Sequence, residues 1–350
     1  MAVTLDAPPR PQPPPRSTRG VRRAAGLVVL VAVLLVVCCL SIALGARGIA
    51  LGTVWQALTD FDPASAPETV VREMRVPRTL LAVTVGAALG LSGTILQGVT
   101  RNPLADPGIM GINAGAAAAV VAGIMLLGTQ QLSTYIWLAF LGAGIATVAV
   151  YGIASFGREG ATPVKLALAG AAVTAGLTSV TTAIVMTHVD ALNELRFWQV
   201  GSLAGRYAPI FWQTLPFIAL GTVVALGAGR ALNGLALGED VARALGQRIR
   251  LTRLVLFSAV VLLCGAATAA CGPIVFLGLV APHVARMICG PDYRWILPYA
   301  MVLTPIILLL ADIAGRLVLT NGELQVGVVL GVLGAPAFIA LVRYRDLAEL

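Results

Sequence analysis

The feature that most constrains this chain is a series of apolar blocks, each long enough to cross a lipid bilayer, that recurs from Val28 to the C-terminus. A transmembrane α-helix needs about 17 to 25 predominantly apolar residues. The composition agrees with this, because 58% of the residues are hydrophobic and only 11% are charged, whereas soluble domains carry about 25% charged residues. The sequence therefore predicts an all-α, polytopic membrane protein.

About ten such blocks can be counted, and glycine and alanine are abundant in them. Small residues let helices approach closely inside a membrane, so we expect tightly packed spans. Residues 1–23 are rich in proline and arginine and lack an apolar period, which predicts a disordered tail before a transmembrane domain over residues 24–350. The predicted spans cover residues 24–46, 78–97, 109–127, 133–156, 164–187, 209–229, 254–271, 272–287, 299–314 and 325–342. Residues 47–77, between the first two spans, are predicted to form a polar loop with a short amphipathic helix around residues 53–58.

The distribution of basic residues predicts how the chain is oriented. An even number of spans places both termini on one side of the membrane, and cytoplasmic loops carry an excess of arginine and lysine. With the termini inside, the inner segments hold 17 of the 24 basic residues and the outer segments hold 7. We therefore expect cytoplasmic N- and C-termini. The net charge of +8 then reflects orientation, and no nucleic-acid partner is expected.

Residues 229–253 form the longest charged interval between two apolar blocks, and they predict a cytoplasmic loop that contains a short amphipathic helix. Glu239 and Asp240 fall in its first turn, where the positive end of the helix dipole favours acids. Arg243 follows Glu239 at i+4, a spacing suited to a helical ion pair, and Gly246 is placed to end the helix. Either a partner protein covers the apolar face of this helix, or the segment is a solvated, positively charged loop.

Several kinds of chemistry are excluded or disfavoured by single residues. The one lysine, Lys165, lies in the segment TPVKLAL, so the chain holds no phosphate-binding loop of the G-x-x-x-x-G-K-[ST] type. Cys264 and Cys271 are seven residues apart on one predicted helix, about 10 Å along its axis and too far for a disulfide. His283 has no acid or cysteine at ligand spacing. No metal, cofactor or catalytic group is expected.

Asp312 is the only acid within the predicted spans, and it lies near the end of its span with Arg316 at i+4. An ionisable residue at membrane depth is a functional candidate by default, but a partner within reach favours a structural ion pair. This observation bears on an alternative function, the ion-coupled secondary transporter, which is expected to carry acids in the middle of the membrane.

Asp106 lies between two prolines, where it can cap the helix that follows.

Eight segments between Arg75 and the C-terminus together resemble the FecCD family, the permease subunits of ATP-binding cassette (ABC) importers for ferric siderophores, haem and vitamin B12. They occur in the order found in that family. Gln325 departs from the family pattern, in which a proline usually follows Glu-Leu at this point. The matching segments are RVPRTL (75–80), GAALGLSGTILQ (86–97), RNPLADPGIMGI (101–112), WQVGSLAGR (198–206), LGEDVARALG (237–246), GPIVFLGLVAPHVAR (272–286), ADIAGR (311–316) and VGVVLGVLGAPAFIALV (326–342).

The resemblance implies a permease with the architecture of type II ABC importers, located in the bacterial inner membrane and performing no covalent chemistry. It implies cytoplasmic ATPase subunits, an extracytoplasmic substrate-binding protein and a second permease subunit, either an identical copy or a paralogue. Ferric siderophore is the leading cargo, with haem or cobalamin as alternatives.

The resemblance also assigns roles to residues of this chain. It implies that residues 229–253 are the loop that couples transport to ATP hydrolysis. The residues that match the ATPase-coupling motif are Leu237, Gly238, Glu239, Asp240, Arg243 and Gly246. Three arginines on the predicted outer face match positions that meet acidic residues of the binding protein: Arg75, Arg78 and Arg316. The alternative for these three is contact with lipid headgroups through long, snorkelling side chains.

Overall fold

The computed structural model describes residues 16–128, 132–156, 162–206, 208–319 and 322–343. Within these ranges the regular structure is helical throughout and contains no strand. The α-helices are α1 (Arg16–Ala43), α2 (Leu51–Thr59), α3 (Ala66–Thr69), α4 (Val76–Thr100), α5 (Ile112–Leu127), α6 (Leu132–Ala154), α7 (Pro163–Thr187), α8 (Val189–Gln199), α9 (Ala208–Gly227), α10 (Gly229–Ala236), α11 (Glu239–Ala244), α12 (Ile249–Val260), α13 (Ala266–Cys271), α14 (Leu277–Cys289), α15 (Tyr293–Val318) and α16 (Val326–Arg343).

Seven helical segments of the described chain are long and apolar enough to cross a membrane. Three shorter apolar helices, Ile112–Leu127, Leu277–Cys289 and Val326–Pro336, accompany them. Each of the ten predicted spans falls on one of these ten helices, which confirms the all-α membrane fold. The seven longer segments are Arg19–Ala43, Ala66–Thr100, Thr134–Ala154, Pro163–Thr187, Ala208–Gly227, Ile249–Cys271 and Tyr293–Val318.

The first helix starts earlier than the sequence predicts. Helix α1 begins at Arg16, so residues 16–23, which composition assigned to the disordered tail, are helical. Near this end the Tyr299 hydroxyl donates a hydrogen bond to the carbonyl oxygen of Arg23, at 2.7 Å, and so ties α1 to α15. Residues 1–15 of the predicted tail and the last seven residues, 344–350, lie outside the described residues.

A second correction concerns residues 66–77, which were predicted to belong to a polar loop. They are helical, and α3 runs through a π-helical turn, Val70–Arg75, directly into α4. The N–H of Val76 bonds to the carbonyl of Val71, five residues back. Pro77 explains the irregular turn, because proline lacks an N–H and its ring displaces the carbonyl four residues earlier. The predicted short helix around residues 53–58 is confirmed as α2.

Helix α4 is the centre of the bundle, and its small residues allow neighbouring backbones to approach closely. A side chain on Gly86 would meet the Cα of Pro305 in α15, and one on Gly93 would overlap the carbonyl oxygen of Gly278 in α14. Glycine is therefore required at both crossings. The composition predicted this kind of packing, although it could not say which helices would meet.

The outer surfaces of the peripheral helices are apolar. Val28 in α1, Val148 in α6, Leu168 in α7 and Val223 in α9 are each about two-thirds exposed. Such side chains are stable there only in contact with lipid or with another apolar surface. This exposure agrees with the predicted membrane partner.

Candidate functional site

Two groups of polar residues lie at opposite ends of α4. Arg78 is near its first turn and Gly98 near its last, twenty residues apart, which corresponds to about 30 Å along the helix axis. That distance matches the hydrocarbon thickness of a bilayer, also about 30 Å. We call the end with Arg78 the arginine end and the end with Gly98 the α10–α11 end.

At the α10–α11 end, the predicted short helix with Glu239 and Asp240 in its first turn is α11, and a separate helix, α10, precedes it. Helix α10 stops at Ala236 and α11 starts at Glu239, with a turn at Leu237 and Gly238 between them. Gly238 has a φ of +106°, a backbone conformation that residues other than glycine rarely adopt. Helix α10 was not predicted, and the backbone angle of Gly238 redirects the chain between it and α11.

The prediction for the first turn of α11 is confirmed. The Arg243 guanidinium contacts Glu239 at 3.0 Å and Asp240 at 2.9 Å, and Gly246 follows the helix with a φ of +81°. Glu239 has a second partner that the sequence analysis missed, the nearly buried Arg253 of α12. The Glu239 carboxylate therefore joins the short helix to a helix of the bundle.

The side chains that α11 and its flanks present outwards include three large apolar ones beside the charged Asp240 and Arg243. Leu237 is 66% exposed and Leu245 is 65% exposed, and Val241 lies between them at i+4 from each. Ala242, on the opposite face, is fully buried. The helix thus has an inner face that fits the bundle and an outer face that no described residue covers.

Asn233 fixes α10 against the start of α15. Its side-chain amide donates to Asp292 at 2.7 Å and its oxygen accepts from the backbone N–H of Tyr293 at 2.8 Å. Burial alone would raise the pKa of Asp292, but hydrogen bonds from Arg294 and Asn233 outweigh it and lower the pKa to about 2. Gly98 of α4 packs against Tyr293 at the same place. These supporting residues were not predicted, because they come from distant parts of the chain.

The turn before α5 lies at this end of α4 as well. Asp106 accepts a hydrogen bond from the N–H of Gly108 at 2.8 Å and caps a short 3₁₀-helix, Pro107–Met110. The predicted capping role is confirmed for this short helix only, because α5 begins after Gly111 without a side-chain cap. Arg101 ends α4 in the left-handed region, with a φ of +51°.

At the arginine end, Arg75 holds the C-terminal end of α1. Its guanidinium donates to the carbonyl oxygens of Ile42, Ala43 and Arg47, at 3.0, 2.7 and 2.6 Å. The last carbonyls of a helix have no partner within the helix, and a cation satisfies them well. Arg75 is 5% exposed as a result. Its side chain is committed to contacts within the chain.

Asp312 forms ion pairs with the other two arginines. Its carboxylate contacts Arg78 at 2.7 Å and Arg316 at 2.7 Å, which confirms the predicted pair at i, i+4 and adds a partner 234 residues away. Arg78 also contacts Glu323 at 2.7 Å. Arg316 donates to the carbonyl and hydroxyl oxygens of Ser41 in α1 and is 2% exposed. Of the three arginines predicted to dock a binding protein, Arg75 and Arg316 are buried and the side chain of Arg78 is 12% exposed. All three have partners within the chain, and their docking role stays a prediction.

A cavity of about 240 Å³ opens beside this cluster. Its wall includes Arg206, the last residue of the segment WQVGSLAGR, for which no role was predicted. Burial lowers the pKa of the Arg206 guanidinium by removing it from water. The lining residues are Gly45, Ala46, Arg47, Val70, Met74, Arg75, Arg78, Leu203, Gly205, Arg206, Arg316 and Glu323.

Comparison with known proteins places this geometry in a family. The model of the FecCD transport family matches residues 33–344, which include both ends of the bundle. The chain belongs to the FecCD transport family. This is a family of transport permeases, and the present chain is a multi-pass membrane protein of that kind.

Several relatives are similar over nearly their whole length. A ferric enterobactin transport system permease protein of Escherichia coli is 43% identical over 93% of this chain and 97% of its own. A probable siderophore transport system permease protein of Bacillus subtilis is 41% identical, over 91% and 95%. A cobalamin import system permease protein of Halobacterium salinarum is 36% identical, over 85% and 82%.

The fold has a solved counterpart. An ABC transporter described as being of the metal-chelate type, in an inward-facing conformation, superposes with a TM-score of 0.80 at 28% identity. The match covers 92% of this chain and all of the other. Among the residues that the present structure describes, no group of three or more histidine, cysteine, aspartate or glutamate side chains could hold a metal ion.

Proposed function

We propose that this chain is the permease subunit of a binding-protein-dependent ABC importer that takes up a ferric siderophore. Family membership over residues 33–344 carries the proposal. The cargo is supported by relatives named for siderophore, ferric enterobactin and iron(3+)-hydroxamate transport, each at least 41% identical. Cobalamin is the second candidate cargo, because a relative named for cobalamin import is 36% identical.

ATP hydrolysis takes place on separate cytoplasmic subunits that bind at the α10–α11 end. The exposed side chains of Leu237 and Leu245 and the Glu239–Arg243 ion pair support this role. An apolar surface with charged residues at its edge is typical of a protein interface. The contact to Arg253 then carries movement of α11 into the bundle. The proposed coupling residues are Leu237, Gly238, Glu239, Asp240, Arg243 and Gly246.

The binding protein docks at the arginine end, which faces away from the cytoplasm. The basic-residue count, 17 inside against 7 outside, supports this orientation and cytoplasmic termini. The donor groups of Arg75, Arg78 and Arg316 already have partners within the chain. These three arginines therefore contribute to the docking surface through the positive charge that they give the wall of the cavity.

A second permease subunit completes the transport path. An apolar groove of about 290 Å³ between α14, α15 and α16 supports this arrangement, with Phe276, Ile307 and Leu330 in its wall. A bulky chelate recognised by the binding protein needs a path with apolar walls rather than a polar site of its own. The subunit is either an identical copy or a paralogue.

Reconstitution into liposomes tests the proposal. The permease is combined with its ATPase and binding protein, and accumulation of iron-55 as ferric enterobactin, a ferric hydroxamate or ferric citrate is measured, with labelled cobalamin in parallel. We expect uptake of one ferric chelate that requires both ATP and the binding protein. Uptake that proceeds without ATP and follows an imposed proton gradient would instead identify an ion-coupled secondary transporter. ATP-dependent uptake of cobalamin alone would show that the cargo is cobalamin and not a ferric siderophore.

A further inference from the structure

The first turns of α1 concentrate positive charge. Arg19 and Arg22 are exposed and Arg23 is half-buried, and the sequence contains no acid between residues 7 and 59. These arginines lie at the positive end of the helix dipole, where anions are favoured and cations are not. Like charges at i, i+3 and i, i+4 also repel one another along a helix. The start of α1 is therefore electrostatically unfavourable unless an anion compensates its charge.

The described part of the chain does not supply that anion. None of the three guanidinium groups makes a hydrogen bond or an ion pair to another described residue. Asp292, at the start of the neighbouring α15, accepts hydrogen bonds from Arg294 and Asn233 instead. The compensating charge is therefore expected to come from a ligand.

The three arginines face a notch between α1 and the turn that joins α14 to α15. With 3.6 residues per helical turn, they share one face of α1 with Gly26, which packs against the Tyr299 hydroxyl of α15. A side chain on Gly290, in the α14–α15 turn, would meet the Arg23 guanidinium. The hydrogen bond from Tyr299 to the carbonyl oxygen of Arg23 holds this part of α1 in place. The basic face is thus positioned between helices before any ligand binds.

The notch lies at the edge of the apolar surface of α1. Val28 and Val29, which are 69% and 61% exposed, follow Arg23 by five and six residues, about 8 Å along the helix axis. Val21, between the arginines in sequence, is 70% exposed. A lipid whose acyl chains cover the valines of α1 places its phosphate at the height of the arginines. Basic pockets between transmembrane helices bind anionic headgroups in this way.

We propose that this notch, formed by Arg19, Arg22, Arg23 and the α14–α15 turn, binds the phosphate headgroup of an anionic phospholipid such as cardiolipin. The bound lipid compensates the charge at the start of α1 and ties α1 to α15. The same turn carries Asp292, which holds Asn233 of α10, so the lipid also supports the α10–α11 end. The inference requires only that the chain spans a membrane. It is therefore independent of the proposed cargo and of the proposed protein partners.

Titration of the delipidated, full-length permease with cardiolipin in detergent, followed by native mass spectrometry, measures this binding. Each arginine beside an anionic headgroup is expected to raise the affinity about fivefold, so replacing all three by glutamine should weaken cardiolipin binding about a hundredfold. Replacing all three by lysine keeps the charge and should retain most of the affinity, because lysine also binds phosphate. Phosphatidylcholine, which has no net charge, should bind weakly to the wild type and to both variants.

The matched control replaces Arg230, Arg248 and Arg250 by glutamine. These three are also exposed, lie at the same end of the bundle, and carry the same total charge. The control should change the cardiolipin affinity less than about threefold, because charges outside the notch are screened. An equal loss with the control would overturn the inference, since it would show attraction to the overall charge without a site. Unchanged affinity of the triple glutamine variant would do the same, as would equal binding of phosphatidylcholine by the wild type.

Thermal unfolding gives a second readout and identifies the source of the phosphate. Cardiolipin should raise the unfolding temperature of the wild type and of the control but not of the triple glutamine variant, because a ligand that binds only the folded state stabilises it. Inorganic phosphate and ATP should leave the wild type unchanged. Stabilisation by either would assign the notch to a soluble anion and contradict the lipid assignment.

Two further outcomes are decisive. Loss of ATPase recovery with the triple glutamine variant, at unchanged cardiolipin affinity, would assign the notch to a partner protein instead. If the triple glutamine variant does not unfold cooperatively, Arg22→Gln alone replaces it, because this exposed side chain contributes little packing. That single variant should lose about fivefold in cardiolipin affinity, and no loss would count against the site.

Discussion

The Asp312 carboxylate is 1% exposed and contacts two guanidinium groups, Arg78 and Arg316, at 2.7 Å each. Moving three charges out of water is costly, and their mutual attraction compensates only when the geometry is good and the remaining donors are satisfied. Here Ser41 accepts a further hydrogen bond from Arg316, and Glu323 accepts one from Arg78. The cluster therefore joins α1, α4 and α15 at one point, and its stability depends on the carboxylate between the arginines.

Replacing Asp312 by asparagine should destabilise the permease strongly. The substitution preserves the shape of the side chain but leaves two buried guanidinium groups without their shared carboxylate, a loss of about 3–5 kcal/mol for a broken buried ion pair. Thermal unfolding in detergent measures the effect. Asp240→Asn, which removes the same charge from a fully exposed side chain, is the control and should leave the unfolding temperature unchanged. An unchanged temperature for Asp312→Asn would show that water reaches the cluster.

The sequence predicted half of this cluster. Asp312 and Arg316 are at i, i+4 on one helix, and that spacing alone indicates an ion pair. Arg78 is 234 residues away, and no local pattern connects two residues so far apart. For the same reason the prediction of three outward-facing arginines could not reveal that Arg75 would cap α1.

At the scale of single elements, α11 is a short helix with opposed faces. It lies on the bundle through the buried Ala242 and through the Glu239–Arg253 contact. A helix of six residues is not stable in water by itself, because nucleation is unfavourable and few hydrogen bonds follow it. Its conformation is therefore maintained by these contacts, and its exposed apolar side chains remain available for a partner.

Replacing Leu237 and Leu245 together by glutamate should prevent the ATPase subunits from binding. Both side chains are about two-thirds exposed, so little packing within the permease is lost, whereas an apolar contact becomes a charged one. The readout is recovery of ATPase with the affinity-purified permease. Leu51→Glu in α2, at the arginine end and 73% exposed, is the matched control and should leave recovery intact. Normal recovery with the double variant would place the ATPase contact elsewhere.

The elements themselves were largely predictable, and the errors have specific causes. Apolar period and length located every span, because membrane helices must satisfy their own backbone hydrogen bonds. Two boundaries were wrong because proline and glycine act through geometry. Pro77 was taken to mark a loop, yet a π-helical turn accommodates it within a continuous helix. No second helix was predicted before Gly238, whose φ of +106° separates α10 from α11.

At the scale of the whole molecule, two sites with different chemistry are separated by the length of α4. The arginine end carries a positive cavity, and the α10–α11 end carries an apolar surface beside an ion pair. The glycine crossings at Gly86 and Gly93 connect these ends through closely packed helices. Closely packed cores respond to force by shifting as units rather than by deforming. Movement imposed on α11 can therefore reach the cavity at the arginine end through α12 and α4.

Labelling of single cysteines tests the orientation on which this account depends. The five native cysteines are free, and they are first replaced so that one introduced thiol reports at a time. Cysteine at Thr59 and at Arg196, both exposed and both assigned to the arginine end, should react with an impermeant thiol reagent added outside intact cells. Cysteine at Arg250, exposed beside α11, should react only after the membrane is opened. About 30 Å of apolar helix separates the two ends, so one reagent cannot reach both. Labelling of all three positions from outside would contradict the predicted topology, and labelling of Arg250 alone would invert it.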